Sequence, residues 1–179
     1  MGDSLTEGYG IEASKRWTDI LASEIGIKVI NSGISGDTTT GMLARFGSMV
    51  IDLAPTHCII MGGTNDVSHG LQTELILSNI RVMTRRARHH GIKSIIGLPT
   101  PILADEQLLG SMYAPMLEFA HLMEVFTARL RQFAEEDGQP LIDFGQGMIQ
   151  EHFLPDGVHP NEQGHTLMAR NAQTVIRGL

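Results

Sequence analysis

The chain has 179 residues, 42% of them hydrophobic and 18% charged, which suits one domain around a single sizeable core. Thirteen Lys and Arg against 20 Asp and Glu leave a formal charge of −7, which argues against a general nucleic-acid or anionic-membrane surface. The single Cys58 excludes an intramolecular disulfide and a Cys-based zinc cluster, no apolar run approaches the ~18 residues of a stable membrane insertion, and no secretory leader is visible, so the expected compartment is the cytoplasm.

Gly2-Asp3-Ser4-Leu5 opens the chain, a serine in a turn of the kind that normally follows a strand. Met1 alone cannot be that strand, so the expectation is that residues upstream supply it, and a leader with them. With only Met1 ahead of Gly2, the expectation is low stability or a strand donated by another molecule. A helical pattern over 16–25 follows, then a β-branched run at 27–30 that reads as a buried strand, closed by the polar segment Asn31-Ser32-Gly33-Ile34-Ser35-Gly36-Asp37-Thr38. A helix is expected over 39–52 and a strand over 57–61, where Cys58 reads as a buried core thiol. Gly62-Gly63-Thr64-Asn65-Asp66 follows, then a helix over 72–90 with Gly91 past its end. A strand at 94–98 leads to Pro99-Thr100-Pro101 and a loop to about residue 115. Over 112–137, Leu117, Ala120, Leu122, Met123, Phe126, Leu130 and Phe133 recur at helical steps, and Gly138 follows. The strand 140–144, the loop Asp156-Gly157-Val158-His159-Pro160 and a helix over 162–177 complete the chain.

Alternating strands and helices imply an α/β fold, a parallel sheet with helices on both faces, in one domain spanning 1–179 without repeats or linkers. Ligands of such folds sit beyond the carboxyl ends of the strands. All the polar segments named above leave strands at those ends, so they should gather on one rim.

A serine is a poor nucleophile until a base takes its proton, and an imidazole oriented by a carboxylate is the usual base. Ser4 alone is a weak signal and reads more readily as a helix N-cap. Asp156, three residues before His159 in a Gly-containing loop, can fold back onto one ring nitrogen while the other faces Ser4. The other seven histidines lack such a setting, and no HExxH pattern is present. Gly36, whose N–H can approach a ligand oxygen closely, and Asn65, at a strand end, are candidate oxyanion donors beside the Ser4 N–H.

These four blocks, GDSLTEGYG (2–10), NSGISGDTTTG (31–41), GGTND (62–66) and DGVHPNEQGH (156–165), resemble the SGNH hydrolases, also called the GDSL lipase/acylhydrolase family. The resemblance implies a three-layer α/β/α sandwich with a flavodoxin-like parallel sheet, here with its first strand truncated. It implies Ser4 as nucleophile, His159 as base and acid, Asp156 as its orienter, and Gly36 (rather than Gly33) and Asn65 as oxyanion donors. It also implies a small-molecule ester substrate and no metal or organic cofactor. The pairing of the first two blocks is most similar to small bacterial esterases, thioesterases and lysophospholipases acting on short to medium acyl chains. GGTND is equally at home among family members that deacetylate carbohydrates. The absence of a G-x-S-x-G elbow argues against ordinary α/β-hydrolases. A non-catalytic FMN or nucleotide module is the remote alternative, since a Gly/Ser/Thr loop at a helix start can cradle phosphate, but it leaves GGTND and Asp156–His159 unexplained. Val67, Leu71, Pro101, Ile102 and Met112 either line an acyl pocket or pack beneath the loops that carry them. The sequence leaves the oligomeric state open.

Overall fold

A computed structural model describes residues 1–179, the side chain of Leu108 apart. Strands β1 (His57–Met61), β2 (Lys93–Leu98) and β3 (Leu141–Asp143) form a parallel sheet in that order, with Cys58 opposite Ser94 and Gly97 opposite Ile142. The helices are α1 (Ser4–Glu7), α2 (Trp17–Ile25), α3 (Thr39–Met49), α4 (Thr64–Ser68), α5 (Thr73–His89), α6 (Glu106–Leu109), α7 (Tyr113–Glu136) and α8 (Glu162–Ile176).

Strand side chains point alternately to opposite faces, and here both faces are covered. Ile60 of β1 and Ile96 and Leu98 of β2 enter a cluster with Met42 of α3, Ile76 and Ile80 of α5 and Phe126 of α7. Their strand neighbours Met61 and Ile95 enter a second cluster with Trp17 and Leu21 of α2 and Met168 and Ala172 of α8. The result is helices, sheet and helices in three layers. Phe46, Phe126 and Phe144 are fully buried, each contributing about 1.5–3 kcal/mol from its apolar surface. Cys58 is buried as expected, and burial pushes its thiol up. No described helix is long and apolar enough to cross a membrane.

The long helices lie within a few residues of their expected bounds. The third stops at Met49 rather than near residue 52, because Val50 leaves the helical region at φ −134° and the chain tightens into a 3₁₀ turn over Ile51–Leu53. Residues 27–30 are a larger correction: they form no strand. A strand exists only through a hydrogen-bonded neighbour, and no ladder pairs this segment; the bridges nearest to it fall at Gly2. Gly2 bridges Gly33 on one side and Met61 on the other, both in parallel sense. Its N–H donates to Ser32 O at 3.4 Å and its carbonyl accepts from Ile34 N at 3.1 Å, while Met61 N donates to Met1 O at 3.1 Å. Val29 and Ile30 line, with Cys58 and Ile59, a largely apolar cavity of about 410 Å³. Met1 N, buried there, lies 3.0 Å from Ile59 O.

Candidate active site

The wedge explains how three distant segments meet. Ser4 lies two residues beyond Gly2, Gly36 three beyond Gly33 and Asn65 four beyond Met61, and Gly2 pairs with both Gly33 and Met61. The two bridges at Gly2 therefore hold the starts of all three loops side by side on one rim.

Ser4 is the first residue of α1, a single turn far too short to persist alone. Asp3 caps it, its Oδ1 accepting from Leu5 N at 3.0 Å, and Gly8 N donates to Ser4 O at 2.9 Å. Leu5 is buried, and its carbonyl accepts from Trp17 Nε1 at 3.1 Å, which pins the turn to α2. Burial of Asp3 pushes its carboxyl up to about 7, despite the backbone N–H groups that pull it down.

The Ser4 hydroxyl lies 2.9 Å from His159 Nε2, across 155 positions of sequence. His159 Nδ1 lies 2.8 Å from Asp156 Oδ2, while Asp156 Oδ1 accepts from the N–H groups of Val158 and His159, both at 2.9 Å. An ionised carboxylate only accepts, so Nδ1 carries the ring proton and Nε2 turns its lone pair to the serine hydroxyl. Partial burial pushes the Asp156 carboxyl up, but the His159 N–H, the His159 ring and the Val158 N–H outweigh it and hold the group below the usual carboxylate range. The loop is clamped from outside: Leu103 N donates to Gly157 O at 2.8 Å, Leu154 N donates to His159 O at 2.7 Å, and Asn161 caps α8 just after it.

Gly36 sits in a turn closed by Asp37 N donating to Ile34 O at 3.1 Å, with φ +78° and open space where a side chain would be. Gly33 is different: a Cβ there would lie 2.1 Å from Glu7 N, so its face is filled by α1. Asn65 falls on the first turn of α4, not in an open loop as its motif suggests, and its Nδ2 donates to Asp37 O at 2.8 Å. One amide hydrogen is thereby spent on the Gly36 turn and the other remains.

Of the residues suggested for an acyl pocket, Val67 and Ile102 are buried in the cluster beneath the rim, and Leu71 is half-buried against the same cluster. Pro101 packs against Gly145, where an added Cβ would lie 2.5 Å from its Cδ. Met112 is exposed. Among the described residues no cluster of three or more His, Cys, Asp or Glu side chains could hold a metal ion.

The GDSL-like lipase/acylhydrolase family model matches residues 1–167. The chain belongs to that family. Its members hydrolyse ester bonds, and a catalytic triad and oxyanion hole are general among them. Esterase TesA of Pseudomonas aeruginosa is 26% identical over 188 residues, covering 100% of this chain and 87% of that protein. Thioesterase 1/protease 1/lysophospholipase L1 of Escherichia coli K12 is 27% identical over 177 residues, covering 94% of this chain and 77% of that protein. A G-D-S-L family lipolytic protein of Desulfitobacterium hafniense has the same fold, with a TM-score of 0.83 at 22% identity over 98% of this chain and 96% of that one.

Several residues that hold this GDSL site escape a sequence reading. Arg45 of α3 donates to Asp37 Oδ2 at 2.6 Å, to Ser32 O at 2.8 Å and to Gly2 O at 2.8 Å, tying the first two blocks together. Glu7 Oε2 accepts from Ser35 N at 2.5 Å, and the Ser35 hydroxyl first, with that N–H beside it, holds the Glu7 carboxyl below its ordinary range. Asp66 is buried and accepts from Thr39. None of the three sits at a spacing that marks a partner in sequence; the only signal is that each lies in or just beyond a glycine-rich block. His165 of α8, passed over with the other histidines, accepts from Trp17 N at 3.2 Å, and burial lowers it to about 4, so it stays neutral.

Proposed function

We propose that the chain is a serine acylhydrolase that cleaves carboxylic esters of short to medium acyl chains, and thioesters or lysophospholipids of similar reach, through an acyl-enzyme on Ser4. The observation that carries this reading is the continuous relay from Ser4 Oγ to His159 Nε2 at 2.9 Å and from His159 Nδ1 to Asp156 Oδ2 at 2.8 Å. His159 accepts the hydroxyl proton as Ser4 Oγ bonds to the substrate carbonyl carbon. The negative charge moves to the carbonyl oxygen, where the N–H groups of Ser4 and Gly36 and the free amide hydrogen of Asn65 stabilise it. Collapse breaks the carbon–oxygen or carbon–sulfur bond, and the leaving group departs with the proton held by His159. Water then gives its proton to His159, attacks the acyl carbon, and releases the acid as the proton returns to Ser4.

A substrate panel of p-nitrophenyl esters from acetate to laurate, an acyl-thioester, a lysophospholipid and an acetylated sugar, run beside Ser4→Ala, tests this. The expected result is activity across acetyl to medium acyl chains that Ser4→Ala abolishes. Unaltered turnover in Ser4→Ala would remove the assignment, and activity confined to acetate and the acetylated sugar would replace the acyl-chain specificity with a deacetylase.

A further inference from the structure

Tyr9 is 52% exposed, a poor position for an aromatic side chain that burial would stabilise. Its ring instead rests against His159, with ring centroids 4.5 Å apart and planes tilted by 39°. The turn that carries it is the one that carries Ser4: Tyr9 N donates to Ser4 O at 3.1 Å. On its far side, Gly10 lies against Leu154, whose N–H is bonded to His159 O at 2.7 Å. One short turn therefore presents the serine to Nε2 and a phenol ring to the face of the same imidazole.

We infer that Tyr9 is a positioning residue for His159, clamping the imidazole in the orientation that joins Ser4 to Asp156 and stabilising the imidazolium formed during acyl transfer. The inference rests on the reaction proposed above. Two in-plane hydrogen bonds fix where the nitrogens point, but they leave the ring free to tilt about the Nδ1–Nε2 axis. A ring against its face resists that tilt. The π-face also carries negative charge density, which attracts a cation and does little for a neutral imidazole, so the contact strengthens as the proton arrives. The charged or titratable groups that bear on the imidazole are Asp156 on its own loop and His165 on α8, and Arg16 acts on His165 in turn. Tyr9 is the aromatic ring in contact with it.

The test is steady-state hydrolysis of p-nitrophenyl butyrate from about pH 5 to 9 by the unaltered chain, Tyr9→Phe, Tyr9→Leu and Ser4→Ala, with Tm measured for each. Tyr9→Phe keeps the ring and is expected to retain kcat within about twofold. Tyr9→Leu keeps apolar bulk without a π-face: kcat is expected to fall about two- to tenfold with KM nearly unchanged, and the acidic limb of the kcat/KM profile to move about half a pH unit lower. Tyr9→Leu matching Tyr9→Phe in kcat and in the acidic limb overturns the inference, as does a change confined to KM. Activity retained by Ser4→Ala brings down the underlying reading instead. An inactive Ser4→Ala beside an unchanged Tyr9→Leu brings down the Tyr9 inference alone.

Discussion

Asp66 grips Thr39 twice: Oδ2 accepts its backbone N–H at 2.8 Å and Oδ1 its hydroxyl at 2.6 Å, with both residues fully buried. The pair joins the first turn of α4 to the first turn of α3, which are the elements that carry Asn65 and follow Gly36. Removing the carboxylate leaves two buried donors without it, and each such group costs about 1–3 kcal/mol. Asp66→Ala is therefore expected to lose about 2–5 kcal/mol in urea unfolding and to depress kcat more than KM. Thr39→Val, which keeps the backbone bond, should lose less on both counts. Equal stability of Asp66→Ala and the unaltered chain would show that the grip is immaterial.

Asn65 is expected to act mainly in the transition state. Asn65→Ala should lower kcat about 100- to 1,000-fold with little change in KM, as removal of one oxyanion donor typically does. Asn65→Asp, which removes the donor and adds negative charge, should be at least as impaired. Rates of Asn65→Ala within a fewfold of normal would assign the oxyanion to other donors.

Gly157 has φ +68°, and a Cβ there would lie 2.0 Å from Leu103 O. Gly157→Ala therefore both strains the backbone and drives the Asp156–His159 loop away from residue 103. The expected outcome is a kcat loss of tenfold or more, since a misplacement of ~1 Å can cost about 100-fold. Gly91→Ala, also at positive φ but with open space around it, serves as the control and should retain activity.

Asp3 and His165 bend the stability profile in opposite directions. The folded state lowers His165 from 6.5 to about 4, so the unfolded chain binds more protons in that window. This contribution, about 3 kcal/mol, is complete above pH 6.5 and is lost as pH falls toward 4. Asp3 is raised from 3.8 to about 7, so its contribution is complete below 3.8 and is lost as pH rises through 7. Urea midpoints measured from about pH 4 to 8 should show each slope unmasked by the other's variant. His165→Gln should remove the rise with pH, and Asp3→Asn should remove the fall. Parallel profiles for all three proteins would refute both assignments.

The strands at 57–61 and 94–98 and the long helices were legible because their periodicity reflects local geometry and one-sided burial. Residues 27–30 carry the same β-branched signal yet form no strand, since pairing belongs to two segments and no ladder pairs this one; the bridge to Gly2 falls at Gly33 instead. Asp156 and His159 were legible for a local reason too, because a carboxylate three residues ahead can cap its own turn and reach the ring. Asn65 was legible as a residue but not as part of a helix.

What the sequence by itself determined is the inventory: a serine at a turn, an Asp-x-x-His loop, two glycine-rich segments and the α/β alternation that sends them to one end of a sheet. What only the tertiary structure decided is the contacts between distant parts. Arg45 on Gly2 O, Asp66 on Thr39, Trp17 N on His165 and Tyr9 on His159 leave no mark in local composition. Hydrogen-bond and ring-contact energies depend on separations of a few ångströms, which periodicity does not encode, and those separations exist only once the chain has packed.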